Sequence, residues 1–369
     1  MAVSLCTVCK NRANHYKQTI LRNIQDNKDD ATVEFILLDY NSNDDLEQWV
    51  KDNLSQYIES GLFTYYKTFE PQYFQRSHSR NMAFRLASGN LVCNVDADNF
   101  TGPSFSAYLT KAFSGEGNLF MCAGGQFDKI SYSDIGGRIC MRPKDFWEIG
   151  GYDEDMVNYG FEDFDLVNRL VLAGVEKKLI TDDVFLNVIR HDLVDRITEE
   201  FPYKNIKSVM IHYIGPSTSK MLLLFLNGNY AMATITKEQN RNAADKSIRF
   251  AEHGINMITI DEGNWVKGTV QTGPPEGLNL MSAQNNLIYT AQNINEDSIR
   301  LKSDTDIFDF HTIYDKQSIE NAIMFYSETY NRTKMQQNLA QKTIRPNLNA
   351  IGSGTVYKNF DYNNPIFLQ

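Results

Sequence analysis

The sequence predicts an α/β domain in which a mostly parallel sheet carries helices on both faces. Short apolar runs alternate with segments of helical periodicity over residues 1–203. The runs are apolar almost throughout, as in strands that are buried on both faces. Aspartates follow the ends of two runs, and ligands bind beyond the carboxyl ends of parallel strands.

Four apolar runs are predicted as strands, at 3–8, 33–40, 62–68 and 91–95. Helical spacing between them predicts helices at 11–26, 44–54 and 77–88. Asp44 or Asn43 suits the N-cap of the second helix, and Gly89 suits the end of the third. This strict alternation of strand and helix is typical of a parallel sheet.

The pattern changes after residue 203, and we expect a second, smaller α+β domain over residues 204–369. Strand-like runs surround the turn signals Asn227-Gly228 and Glu262-Gly263. Helices are expected at 243–252 and at 315–343, the latter ending before Pro346. This part carries no recognisable catalytic motif, so shaping a neighbouring site or mediating assembly are its expected roles.

The charge and cysteine content exclude several classes of protein. Lys and Arg number 36 against 46 Asp and Glu, a net charge of −10, which disfavours nucleic acid and anionic membranes as partners. The Cys6–Cys9 pair has no second CxxC, so we expect the five cysteines to be reduced thiols in a cytoplasmic protein. No apolar run approaches the roughly 20 residues of a membrane-spanning helix.

Two aspartates, Asp96 and Asp98, follow the fourth predicted strand with one residue between them. Asp39 ends the second strand and should share the same edge of the sheet. Each could simply cap a turn. Two adjacent like charges repel unless a cation lies beside them, however, and carboxylate oxygens suit Mg²⁺ or Mn²⁺.

A second acidic stretch begins a predicted helix at Phe161, with Glu162, Asp163 and Asp165 in the first turn. Acids there complement the helix dipole, and Asp165 with Arg169 is expected to form a surface ion pair. The adjacent pair Glu162 and Asp163 invites a further interpretation, because a carboxylate near apolar groups has a raised pKa and can act as a base.

A third stretch, 184–196, is predicted as an apolar strand ending in Arg190-His191-Asp192. A single histidine is more often structural than functional. Its place after a strand makes His191 a candidate metal ligand as the alternative.

Together these stretches resemble metal-dependent glycosyltransferases of the GT-A type. "VDAD" resembles their DxD motif, and "SRNMAFRLASGN" resembles the arginine helix that precedes it in family-2 transferases. "GGYDEDMVNYGFEDFDLVNRLVLAG" with "VIRHD" resembles the carboxyl half of β-1,4-galactosyltransferases, and "TVCKNRANH" resembles their first loop. The resemblance covers about residues 3–196 and implies a Rossmann-like GT-A catalytic domain.

The resemblance also implies roles for individual residues. It places a metal site at Asp98 and His191 with Asp96, which would also lie over the sugar and ribose. Asp163 matches the general base, and Glu162 matches the acid that positions the acceptor sugar.

Further positions match the substrate contacts of the family. Tyr159 matches the aromatic platform for the acceptor ring. The donor-contacting positions are Asn11, Arg12, Asp39, Arg80 and Gly137 with Gly136. Two departures concern the donor site: the family's methionine ligand falls on Val188, and the first-loop proline falls on Val8.

The resemblance implies an inverting, Mn²⁺- or Mg²⁺-dependent hexosyltransferase in polysaccharide or glycan synthesis. It would move galactose or N-acetylgalactosamine from a UDP-sugar to a sugar hydroxyl, and a lipid-linked acceptor would bring it to the membrane periphery. A retaining N-acetylgalactosaminyltransferase-like enzyme, a non-catalytic nucleotide-sugar or carbohydrate-binding protein and a metal hydrolase are the alternatives. The oligomeric state stays open.

Overall fold

The computed structural model describes residues 1–30, 32–115, 117–123, 137–215, 218–236, 248–250, 255–257, 259–260, 265–273, 277–295 and 297–369. The chain divides into two compact units. The first comprises Met1–Val157, Phe161–Asp192 and Lys334–Gln369, and the second comprises Asn158–Gly160 and Leu193–Thr333. The expected boundary at residue 203 therefore differs from this division, in which the C-terminal residues return to the first unit.

The strands in chain order are β1 (Val3–Cys9), β2 (Val33–Tyr40), β3 (Phe63–Thr68), β4 (Leu91–Asn94), β5 (Leu119–Ala123), β6 (Ile139–Met141), β7 (Glu176–Ile180), β8 (Ile206–Gly215), β9 (Thr218–Phe225), β10 (Asn229–Thr236), β11 (Ile248–Phe250), β12 (Ile255–Met257), β13 (Thr259–Ile260), β14 (Val266–Gly273), β15 (Gly277–Ser282), β16 (Leu287–Gln292), β17 (Ser298–Lys302), β18 (Ile307–Thr312), β19 (Gly354–Lys358) and β20 (Ile366–Leu368).

The helices are α1 (Ala13–Asn27), α2 (Leu46–Glu59), α3 (Arg76–Arg85), α4 (Phe105–Ala112), α5 (Pro143–Glu148), α6 (Glu162–Leu172), α7 (Phe201–Asn205) and α8 (Lys316–Ala340). Short 3₁₀ helices cover Asp183–Phe185 and Leu193–Arg196. Within the described residues, no helix combines the length and hydropathy needed to cross a bilayer.

The first unit contains a mixed sheet with the strand order β20-β19-β3-β2-β1-β4-β6-β5-β7. Its centre confirms the predicted parallel arrangement, since β3, β2, β1 and β4 run parallel. Two strands depart from it: β6 is antiparallel to both β4 and β5, and β19 is antiparallel to β3. The loops after β1, β2 and β4 therefore leave the sheet at one edge.

Helices cover both faces of this sheet, as predicted. Alternate strand residues face opposite ways, so Leu5 and Cys6 of β1 belong to different apolar clusters. One cluster joins the sheet to α1, α2 and α4, and the other joins it to α3, α5 and α6. Burial on both faces explains why the strands read as continuous apolar runs.

Three local predictions in this unit were wrong. α3 ends at Arg85 rather than at Gly89, and a Cβ at Gly89 would lie 2.6 Å from the Ser4 hydroxyl, so close approach explains that glycine. Residues 184–190 form no strand, and a single bridge joins Val188 to Asn99. The Asp165–Arg169 pair is buried rather than exposed, because Asn338 covers the aspartate with a hydrogen bond of 3.0 Å.

The second unit corrects the expectation of an α+β domain. Its antiparallel sheet closes on itself, because β10 pairs with both β14 and β9. The strands of the closed sheet are β8, β9, β10, β14, β15, β16, β17 and β18. Strand alternation directs Ile211 and Leu223 towards Tyr326 of α8, while Met210 and Leu222 join a cluster on the other face.

Two other expectations concern this second unit. The long C-terminal helix is confirmed as α8. The helix expected at 243–252 is contradicted where it is described, since β11 pairs with β12. Its remaining residues and the Glu262-Gly263 turn lie outside the described residues.

Candidate functional site

Arg80 of α3 brings the two acidic stretches of the sequence together. Its guanidinium donates to Asp96 at 3.1 Å, to Glu162 at 3.1 Å and to Asp163 at 3.0 Å. The Arg80 side chain is only 5% exposed, so these interactions are weakly screened by water. Asp96, which follows β4, and the first turn of α6 thus form one polar centre.

Three carboxylates around a single cation leave the centre with excess negative charge. Burial raises the pKa of Asp163 to about 8, and the charges of Glu162 and Asp96 act in the same direction against Arg80. Burial also opposes ionisation of Asp96, but Arg80 and the Asn94 amide hold the pKa of Asp96 below its usual value. The pKa values of the two carboxyl groups therefore differ: Asp96 stays ionised, whereas Asp163 exchanges a proton near neutral pH.

Glu162 uses one of its two carboxylate oxygens in a hydrogen bond within the described residues. One oxygen accepts from Arg80, whereas Oε2 is buried and has no hydrogen-bond partner among the described residues. A buried carboxylate oxygen without a partner is costly, and a hydrogen-bond donor from a ligand or a water molecule would satisfy it.

Asp98 and His191 form a second polar pair, with 2.8 Å between the Asp98 carboxylate and the His191 Nε2. Backbone hydrogen bonds align their two segments, from Ile189 N to Asp98 O at 2.8 Å and from Phe100 N to Asn187 O at 2.9 Å. The hydrogen bond with Asp98 raises the pKa of His191.

The Asp98–His191 pair fits a divalent cation in geometry and chemistry. Adjacent ligands of an octahedral ion with bonds of about 2.1 Å lie about 3 Å apart, close to the separation of these two atoms. A carboxylate with an imidazole suits Mn²⁺. The expected third ligand is not in place, because Asp96 is bound to Arg80, and the described residues contain no group of three or more metal-ligating side chains.

Gly137 lies against the loop that carries both aspartates. Its carbonyl accepts from Asp96 N at 3.3 Å and from Asn99 Nδ2 at 3.2 Å. A Cβ at this position would lie 2.3 Å from Asn99 Nδ2 and 3.1 Å from the Asp96 carboxylate. A side chain at this position would therefore require the Asn99 amide to move. Gly136 lies outside the described residues.

The loops after β1 and β2 are bound to each other through Asn11. Asn11 has a positive φ of 53°, its N–H donates to Ser42 Oγ, and its Oδ1 accepts from Asn43 N at 2.7 Å. Arg12 is half-buried and caps α1, since its carbonyl accepts from His15 N and Tyr16 N at 3.0 Å. Both residues therefore lie at the expected edge of the sheet.

Two residues that were expected to contact the sugar donor, Asp39 and Arg80, are bound to other protein groups instead. Asp39 is fully buried, where it accepts from Tyr65 OH at 2.7 Å and Ser42 N at 2.8 Å and pairs with Lys67. It shapes the loop after β2 rather than presenting a carboxylate. Arg80, expected to face the diphosphate, is occupied by the three carboxylates described above.

Tyr159 belongs to the second unit, where Arg196 contacts it twice. The Arg196 guanidinium donates to the Tyr159 hydroxyl at 2.5 Å and lies 5.7 Å from the ring centroid. Glu200 accepts from the Tyr159 N–H at 3.1 Å.

Sequence reasoning missed two residues that support the site. Tyr152 is buried and donates to Asp163 at 3.2 Å, and Arg138 is buried and donates to the carbonyls of Phe100 and Asn187. The sequence did offer a signal for Arg138, because it is a charged residue directly before the apolar run of β6. Nothing in the local pattern distinguishes Tyr152 from a core tyrosine.

Comparison with known proteins gives one family match. Residues 121–199 match the model described as the N-terminal domain of galactosyltransferase. No curated protein sequence matches the chain.

Several solved structures are similar over about half of the chain. A mannosyltransferase from Pyrobaculum calidifontis in complex with GDP-Man and Mn²⁺ is 17% identical over 49% of this chain and 55% of its own, with a TM-score of 0.42. S. aureus TarS 1–349 in complex with UDP is 16% identical over 49% and 58%, with a TM-score of 0.40. The catalytic domain of Drosophila β1,4-galactosyltransferase 7 in complex with xylobiose is 13% identical over 48% and 64%, with a TM-score of 0.34. The chain thus spans less than two thirds of these structures.

In this α/β fold, the acidic centre around Arg80 lies beyond the carboxyl ends of the parallel strands. Residues 121–199, which include Glu162, Asp163 and His191, are similar to the N-terminal domain of galactosyltransferase.

Proposed function

We propose that the protein is a metal-dependent inverting hexosyltransferase that moves galactose or N-acetylgalactosamine from a UDP-sugar to a sugar hydroxyl. The observation that carries the proposal is the set of contacts from Arg80 to Asp96, Glu162 and Asp163, which joins the acids after β4 to the acids that begin α6. Asp96, proposed to face the sugar donor, thereby lies close to Glu162 and Asp163, proposed to face the acceptor.

Asp163 is the proposed general base. Its deprotonated carboxylate accepts the proton of the acceptor hydroxyl as that oxygen bonds to the anomeric carbon and the bond to the diphosphate breaks. General-base catalysis of this kind contributes roughly 10²–10⁴ in rate. Arg80 and Tyr152 hold the Asp163 carboxylate in place. Glu162, whose Oε2 has no hydrogen-bond partner among the described residues, is the proposed contact for a second acceptor hydroxyl.

Asp98 and His191 are the proposed protein ligands of Mn²⁺ or Mg²⁺. When bound, the ion neutralises the charge that develops on the departing diphosphate. Asp98 and His191 supply a carboxylate and an imidazole, and diphosphate and water oxygens complete such a shell in many nucleotide sites. Asn11 and Arg12 line the nucleotide side of the same edge, and Gly137 supports the Asp96–Asp98 loop.

The biological setting is part of the same proposal. Cell-surface polysaccharide or glycan synthesis on a sugar or lipid-linked sugar acceptor suits this chemistry. The described cysteines, Cys6, Cys9, Cys93, Cys122 and Cys140, are buried free thiols, which agrees with a reducing cytoplasm.

Calorimetric titration with UDP tests the donor and metal assignment. We expect binding by the wild type with Mn²⁺, and binding about tenfold or more weaker after EDTA or in Asp98→Ala and His191→Ala. Asp155→Asn is the matched control, because Asp155 is a mostly exposed acid that pairs with Lys334 at 2.8 Å. Metal-independent binding would remove the metal role of Asp98 and His191, and no UDP binding would remove the donor assignment.

Product stereochemistry separates the inverting reaction from the retaining alternative. The enzyme is incubated with UDP-galactose or UDP-N-acetylgalactosamine, Mn²⁺ and a panel of p-nitrophenyl glycosides. The anomeric coupling of the product is then read by NMR. A β-linked product from the α-linked donor is expected, and an α-linked product would contradict the role of Asp163 in a single displacement.

A further inference from the structure

The segment Asn158–Gly160 directly precedes α6 in the sequence but belongs to the second compact unit. Side chains of that unit bind its backbone. Asn331 Nδ2 of α8 donates to the carbonyls of Asn158 at 2.6 Å and Gly160 at 2.8 Å, and Glu200 accepts from the Tyr159 N–H at 3.1 Å. Asn331 is fully buried, so both of its hydrogen bonds are shielded from water.

The backbone conformation here is one that the local sequence does not favour by itself. Gly160 has a φ of 92°, and Phe161, which caps α6, has a φ of 68°. A non-glycine residue in the left-handed region costs about 1–3 kcal/mol and persists where surrounding contacts determine it. The Asn331 amide is such a contact, because it binds the carbonyls of Asn158 and Gly160 at the same time.

Asn331 therefore fixes the turn that carries Tyr159. The ring of Tyr159 is also fixed from this unit, because Arg196 donates to its hydroxyl. In the sequence, Glu162 and Asp163 follow Gly160 within three residues.

We propose that Asn331 is a positioning residue for the acceptor sugar, acting through the conformation of Asn158–Gly160 and the presentation of Tyr159. This inference rests on the proposed transferase function. It predicts that acceptor use depends on Asn331 and that donor binding does not.

Asn331→Asp tests the inference with almost no change of volume. The variant removes the two donated hydrogen bonds and places a carboxylate against two carbonyl oxygens. Thr329→Val is the matched control, since Thr329 is buried on the same helix and its hydroxyl bonds Trp265 at 2.9 Å rather than the segment. Both variants lose buried hydrogen bonds from one turn of α8. Only Asn331→Asp removes the hydrogen bonds to the Asn158 and Gly160 carbonyls.

The assay uses UDP-galactose and UDP-N-acetylgalactosamine with Mn²⁺ and the p-nitrophenyl glycoside that the wild type uses best. We expect Asn331→Asp to lower kcat/KM for the acceptor by about 10- to 100-fold. The KM for the donor, the affinity for UDP with Mn²⁺ and the slow hydrolysis of the donor should stay at wild-type values. Hydrogen exchange should become faster at the amides of Tyr159 and Gly160 in Asn331→Asp and not in Thr329→Val.

The outcomes separate this inference from the proposed function. An active wild type whose acceptor kinetics are equal in Asn331→Asp and Thr329→Val would overturn the inference alone. Equal loss of donor and acceptor use in Asn331→Asp would also overturn it, as a general structural role. A wild type that turns over no UDP-sugar would overturn both.

Discussion

At the scale of single residues, the site depends on an imbalance of charge that Arg80 only partly offsets. One guanidinium faces three carboxylates, and the carboxylates differ in their other partners. Asp96 also accepts a hydrogen bond from the Asn94 amide at 2.9 Å, and Asp163 accepts one from the Tyr152 hydroxyl at 3.2 Å. Burial and the charges of Glu162 and Asp96 together raise the pKa of Asp163 to about 8, which suits a base.

The raised pKa of Asp163 predicts how activity depends on pH. In the proposed mechanism the active form of Asp163 is the deprotonated carboxylate, so kcat/KM should rise with pH and level off above about 8. Asp163→Asn should lose roughly 10²–10⁴ in kcat/KM together with this dependence. The measurement is a pH profile of initial rates from about pH 5.5 to 9.5, at saturating Mn²⁺ and UDP-sugar.

Thermal unfolding provides the control for that variant. A carboxyl whose pKa is higher in the folded state binds more protons there than when unfolded, so its contribution to stability falls as pH rises from about 4 to about 8. Asp163→Asn should therefore unfold at a higher temperature than the wild type at pH 9, with the two converging towards pH 4. Near-full activity with a retained pH profile in Asp163→Asn would exclude Asp163 as the base.

At the scale of elements, two irregular segments rather than a strand pair position the candidate metal ligands. Residues 98–100 and 187–189 exchange backbone hydrogen bonds, and Arg138 binds a carbonyl from each. The apolar run at 184–190 suggested a strand, but Asp182 accepts from Val184 N and starts a 3₁₀ turn instead. The apolar residues of this segment predict burial but not a particular secondary structure. The hydrogen bond from Val184 N to the Asp182 side chain favours the 3₁₀ turn.

Gly137→Ala tests whether this packing of elements sets the donor site. The new Cβ would displace the Asn99 amide and the Asp96 carboxylate on either side of Asp98. We expect the affinity for UDP with Mn²⁺ to fall about tenfold, or about 1.4 kcal/mol. Gly115→Ala is the matched control, because a Cβ at Gly115 has no atom within 4 Å. Equal affinities in the two variants and the wild type would show that Gly137 does not constrain the site.

At the scale of the whole molecule, long-range pairing accounts for most of what the sequence did not predict. The strands β1 to β4 and the helices between them follow from periodicity, because each needs only its neighbours in the chain. Closure of the second sheet depends on pairing between β8 and β18, which are separated by about a hundred residues, and no local pattern encodes it. The same holds for Asp39, whose burial follows from Tyr65 on the adjacent strand.

The first unit provides a direct test of such long-range pairing, because residues near the C-terminal end of the sequence complete its sheet. β19 pairs with the edge of β3, Val356 is fully buried in the cluster that also holds α3 and α6, and Phe360 stacks on Tyr65 at 4.6 Å. These contacts lie in the unit that carries Asp98, Asp163 and His191.

Val356→Ala should therefore destabilise the unit that carries the candidate donor site. Loss of two buried carbon atoms and the resulting cavity costs about 2 kcal/mol, which corresponds to a fall of about 4–8 °C in Tm. The transition to follow is the one that UDP with Mn²⁺ shifts upwards, since a ligand stabilises only the unit that binds it. Phe367→Ala on β20 is the control, because that ring is 67% exposed and its loss should leave this transition unchanged. If Val356→Ala shifts only a transition that does not respond to UDP, then β19 does not belong to the cooperative unit that contains the candidate site.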